Sequence, residues 1–146
     1  MINKDNDYSD IKKETNYYDL FKFIPYFENK ENIFYKHISA KEKEDGSFIM
    51  GWIQYSEKTN KFIKKFYESD LVEYDYLEVL EKFERIENIE SRIEMESLEN
   101  IRALLTFYIR RERFGEGHIA DAIDDGVILR ILYRIEELTQ CSWKEI

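Results

Sequence analysis

One cysteine, one proline, five glycines and two histidines stand among 146 residues, and each scarcity removes a class of protein. The single Cys141 forms no intramolecular disulfide, so disulfide-stapled scaffolds and multi-cysteine zinc modules drop out, which fits a reducing compartment or an indifferent one. Gly115 and Gly117 match neither glycine-rich phosphate fingerprint. No stretch approaches the roughly 18 apolar residues of a membrane span. The opening Met1-Ile2-Asn3-Lys4-Asp5-Asn6-Asp7 has no apolar run behind its charges. These absences predict a cytoplasmic protein. The many Lys, Glu, Ile and Asn residues point to a bacterium or a phage-infected host cell. Positive charge is short too. Lys and Arg number 22 against 31 Asp and Glu, a formal net charge of −9, which disfavours direct binding to nucleic acid or to an anionic membrane.

What is present is enough for one folded domain. A composition 43% apolar and 16% aromatic supplies a core, and a chain of this length makes a single unit. The pattern predicts a mainly α, compact helical domain of about five to six helices with a small two-stranded β-hairpin near residues 33–55. Residues 1–14 read as a frayed arm, 15–140 as the domain and 141–146 as a tail. Tyr17, Leu20, Phe21 and Ile24 recur at helical spacing behind Thr15 as a cap, until Pro25 breaks the run. Ser56 is placed to cap a helix with the stripe Phe62, Ile63, Phe66 and Tyr67. Asp75 is placed to cap another through Leu77, Leu80 and Phe83, and residues 86–96 read as loop or frayed helix. Ser97 opens the strongest helix, with Leu98, Ile101, Leu104, Leu105, Tyr108 and Ile109 on its apolar face and Gly115 past its end. A short helix to Asp124, a turn at Asp124-Asp125-Gly126 and a last helix carrying Ile131, Leu132, Ile135 and Leu138 complete the pattern.

Charge is unevenly spread along the chain. Residues 68–100 hold twelve acidic and three basic residues, a balance equal to the net charge of the whole chain, whereas residues 101–135 hold six arginines against five acids. The acidic window is either a solvated face or an electronegative docking surface for a basic partner, with Glu78, Glu81, Glu84, Glu87, Glu90 and Glu94 as the contact residues. The densest polar stretch is Arg110-Arg111-Glu112-Arg113-Phe114-Gly115-Glu116-Gly117-His118. Guanidinium groups and backbone amides could converge there on an anion, which makes Arg110, Arg113, Glu116 and His118 the alternative ligand site. The plainer reading has those arginines capping a helix end. His118, Asp121 and Asp125 share one helix face, but at no recognised metal spacing, so neither a metal nor a cofactor is expected.

The runs Leu20-Phe21-Lys22-Phe23-Ile24-Pro25-Tyr26-Phe27-Glu28, Tyr74-Asp75-Tyr76-Leu77, Leu104-Leu105-Thr106-Phe107-Tyr108-Ile109-Arg110-Arg111-Glu112-Arg113-Phe114 and Gly126-Val127-Ile128-Leu129-Arg130-Ile131-Leu132 resemble an uncharacterised prokaryotic domain-of-unknown-function family, number 6508. Its most specific block is Arg-x-x-Arg-Phe-x-x-Gly, here Arg110, Arg113, Phe114 and Gly117. The resemblance covers about Tyr17 to Leu138 and implies a compact helical domain, with no activity attached. The residues themselves favour a non-enzymatic, acidic protein-binding domain, an inhibitor or adaptor that docks as monomer or homodimer on a basic, nucleic-acid-binding surface. An anti-CRISPR-like phage protein is the concrete form. The alternative is a small-ligand or anion-binding domain, or an enzyme, built on the Arg110 to His118 segment.

Overall fold

The computed structural model describes residues 17–112 and 117–144, with side chains through residue 139. Residues 17–21 are helical, and α1 (Ile24–Glu28) follows. Pro25 does not break a helix. It sits in the first turn of α1, where its missing N–H leaves no bond unmade, and the interruption falls one step earlier at Lys22-Phe23.

Residues 33–55 form two nested antiparallel pairs in place of one continuous hairpin. In the outer pair β1 (Tyr35–Ile38) sets Tyr35 opposite Tyr55 and Ile38 opposite Trp52 of β4 (Trp52–Tyr55). In the inner pair β2 (Lys41–Glu42) lies against β3 (Phe48–Ile49). The ladder breaks beside Gly51, where a Cβ would come 2.8 Å from the Ile38 carbonyl oxygen, so only glycine fits so close to the facing chain.

The expected Ser56 cap is present: its Oγ accepts from the Thr59 amide at 3.1 Å and opens α2 (Glu57–Glu68). The buried stripe of α2 is Thr59, Phe62 and Phe66, while Tyr67 turns out to solvent. Thr59 takes the inward position because the Tyr26 hydroxyl meets it there, 3.2 Å from Thr59 Oγ1 and 2.7 Å from Ser56 Oγ. A buried hydroxyl with two partners carries no desolvation penalty.

The next helix, α3 (Tyr76–Glu81), forms without a side-chain cap from Asp75, and it points Tyr76, Val79 and Leu80 inward and Leu77 outward. Tertiary bonds fix its entry. Arg102 donates to the Val72 carbonyl at 3.1 Å, and the Glu73 amide donates to Thr106 Oγ1 at 3.0 Å. The stretch left open as loop or frayed helix is ordered as α4 (Ile86–Glu90) and a 3-10 turn (Ile93–Met95), because Ile89 and Ile93 are fully buried.

The central element is α5 (Leu98–Arg111), capped by Ser97 and packed on α3, on α6 (His118–Asp124) and on α7 (Val127–Lys144). Its Ile101, Leu104, Leu105 and Ile109 meet Ile128, Ile131, Leu132 and Ile135 of α7 in the core. Each such buried side chain contributes about 1.5–3 kcal/mol. The last helix continues to Lys144. The arm at 1–14, the Thr15 cap and the Gly115 cap lie outside the described residues. Among the described residues no helix is long and apolar enough to cross a membrane. The protein is thus mainly helical, with seven delimited α-helices and two small sheets among the described residues.

Candidate functional site

The acidic window folds as α3, α4 and the 3-10 turn, held to the body by Leu80, Ile89 and Ile93. Their burial sends most of the intervening glutamates outward. The six expected contact residues then divide in two. Glu94 is claimed by Arg130 of α7 in a two-pronged pair, Nε to Oε2 at 2.7 Å and Nη2 to Oε1 at 2.6 Å. The bond holds the Glu94 carboxyl below its ordinary range and raises Arg130. Burial, followed by the neighbouring Glu90 carboxylate, pushes the Tyr108 phenol up. Glu78, Glu81, Glu84 and Glu87 are exposed and have no ion-pair partner among the described residues.

The two halves of the charge pattern meet along a seam. Arg102 reaches Glu73 at 3.8 Å, Arg130 reaches Glu94, and Arg134 donates to the Glu96 carbonyl at 3.0 Å. Three arginines of the later segment, Arg102, Arg130 and Arg134, meet the acidic window at that seam, and the four outer glutamates have no ion pair among the described residues. Beside them the apolar surface is open: Tyr74 is 79% exposed and Leu77 63%. Leu77 and Glu81 fall one helical turn apart on the same face of α3. Glu84, just past the end of α3, holds φ at 63°, the one non-glycine residue with positive φ among those described.

The described ends of the Arg110 to His118 segment meet at a residue the sequence did not single out, Glu112. One Glu112 oxygen, Oε1, accepts from the Tyr55 hydroxyl at 2.6 Å and the Ile119 amide at 2.8 Å; the other, Oε2, accepts from the Gly117 amide at 2.7 Å. The Tyr55 hydroxyl in turn accepts from the Ala120 amide at 3.1 Å. Burial and the Glu112 bond raise the Tyr55 phenol well above its ordinary value. This carboxylate therefore caps α6 and ties β4 to the end of α5, and it occupies amides that an incoming anion would use. Gly117 carries φ of +100° at the head of α6, with Ile53 Cδ1 3.1 Å from where a Cβ would stand. Of the four alternative site residues, Arg110 lies 6.0 Å from the centre of the Tyr76 ring and His118 is half-buried as the first residue of α6. Arg113 and Glu116 lie outside the described residues. No pattern of neighbours announces Glu112, because its partners come from a strand and a helix start and not from its own helix.

Cys141 has no described side chain, and among the described residues no three His, Cys, Asp or Glu side chains gather as a metal-holding group. None of the curated proteins and none of the solved structures matches the chain. The family model for DUF6508 matches residues 12–141, nearly the whole length, and the chain belongs to that family of unknown function.

Proposed function

We propose that the protein is a non-enzymatic binding domain that presents Glu78, Glu81, Glu84 and Glu87, with Tyr74 and Leu77 among them, to a basic protein surface. The observation that supports this reading is the seam: Arg102 and Arg130 pair with Glu73 and Glu94, Arg134 donates to the Glu96 carbonyl, and the outer glutamates are exposed without ion pairs among the described residues. Uncompensated carboxylates steer a cationic partner, while an exposed tyrosine and leucine supply the apolar contact that charge alone does not. A surface that binds nucleic acid in its partner is the natural target, since spaced carboxylates imitate the charge of a phosphate backbone. An inhibitor or adaptor acting on a nucleic-acid-binding effector, as a phage anti-defence protein of the anti-CRISPR kind does, is the form to test first.

The test is crosslinking in host cells with the parent chain and with a variant carrying Glu78→Gln, Glu81→Gln, Glu84→Gln and Glu87→Gln. Glutamine keeps helix propensity and removes charge. The parent should capture a basic protein that the variant loses at unchanged melting temperature. Equal capture by both chains contradicts the reading and returns attention to Arg110 and His118, the described part of the alternative anion site.

A further inference from the structure

A cleft of about 460 Å³ opens between the chain leaving α1 and the turn that joins α6 to α7. None of its lining residues belongs to the acidic window or to the Arg110 to His118 segment. Its volume falls within the roughly 300–1,000 Å³ of small-molecule sites. Phe27, Phe34, Ile123 and Leu129 supply an apolar lining. Glu28, Asp124 and Asp125 stand around it against one ammonium, that of Lys30.

The three carboxylates are not equivalent. Asp124 accepts from the Tyr35 hydroxyl and Glu28 from the Tyr133 hydroxyl, so both are fixed in place by neutral donors that leave their charge uncancelled. Asp125, on the turn before Gly126, has no side-chain hydrogen bond or ion pair among the described residues. An anion would meet three carboxylates here. A hydrated metal ion would meet an apolar lining, and two of the carboxylates already face a tyrosine. An apolar body bearing a positive charge satisfies both features of the cleft.

We propose that this cleft binds a small organic cation, a protonated amine on an aromatic or aliphatic body. The ammonium group lies at Asp125 and the body packs on Phe34 and Leu129. Lys30 opposes the ligand, since its ammonium shares the lining with no paired carboxylate among the described residues.

The test is titration of the whole chain with phenethylammonium, phenylethanol and phenylpropionate, followed through the backbone amide NMR signals, together with a panel of alkyl- and arylammonium ions that fit the cleft. Phenethylammonium should saturate and move the amides of Phe34, Gly126 and Leu129. The alcohol should bind about tenfold more weakly, since it loses the charge on the contact with Asp125, and the carboxylate, repelled by three like charges, should not bind. Asp125→Asn should weaken the ammonium by about tenfold at unchanged melting temperature. Lys30→Gln should tighten it about two- to fivefold, the scale of one exposed charge contact; a residue that merely supports the fold would not do so. Equal affinity for the three probes overturns the proposal. So does a panel of ammonium ions that leaves those amides unmoved.

Discussion

Glu112 shows how much of this fold hangs on single polar groups. Its carboxylate satisfies the Tyr55 hydroxyl of β4 and two amides at the head of α6, and so joins both to the end of α5. Tyr55→Phe removes the donor to Glu112 and the acceptor for the Ala120 amide without opening a cavity. It should lower stability by about 1–3 kcal/mol, measurable by denaturant titration. An unchanged midpoint would mean that water replaces the hydroxyl freely. Tyr35 gives a pH signature. Its bond to Asp124 raises the phenol from 10.0 to about 12. A raised value means that the stabilisation is complete below about pH 10 and is lost as pH climbs through 12. Stability should therefore fall over that interval, and Tyr35→Phe should make the fall shallower. A fall of equal steepness in both chains would remove Tyr35 as a contributor. Sequence could not supply such pairings: Tyr35 and Asp124 are far apart in the chain, and nothing local in either marks the other.

Elements with strong periodicity and a local cap were legible from the residues alone. Ser56 and Ser97 cap α2 and α5 as their positions imply, and Ile101, Leu104, Leu105 and Ile109 face the core as their spacing requires. Reading failed where tertiary contact outweighs propensity. Thr59 replaces Tyr67 on the buried side of α2 because Tyr26 offers it a hydrogen bond. Residues 86–96, open between loop and frayed helix in the sequence, are fixed by the burial of Ile89 and Ile93. The antiparallel pairing within residues 33–55 was legible too; its division into two pairs at Gly51 was not, since it reflects a close approach of facing backbone that strand propensity does not encode. At the end of α3, Glu84 holds a left-handed backbone that costs a non-glycine residue roughly 1–2 kcal/mol. Glu84→Gly should raise stability by about 1 kcal/mol, an opposite sign to the usual effect of introducing glycine, and thermal unfolding would show it. Destabilisation would mean that the Glu84 side chain contributes more than its backbone strain removes.

At the scale of the whole molecule, the charge asymmetry written along the chain becomes a seam and a free edge. The composition predicted an acidic surface, yet it could not say that Arg130 takes Glu94 and Arg102 takes Glu73, because those pairs join elements distant in sequence. The proposed docking edge therefore keeps Glu78, Glu81, Glu84 and Glu87 of the six expected glutamates, with the exposed Tyr74 and Leu77 near them in the chain. If that edge works by steering, its effect belongs to the association rate more than to any one contact, since exposed pairs contribute only about 0–1 kcal/mol each. The most direct measurement is the association rate constant with the captured partner as salt rises from about 0.05 to 0.5 M, over which the Debye length falls from roughly 14 Å to about 4 Å. The account predicts a steep fall for the parent chain and a slow, nearly flat profile for the chain with all four glutamates changed to glutamine. Parent and variant rates that coincide at every salt concentration would contradict it.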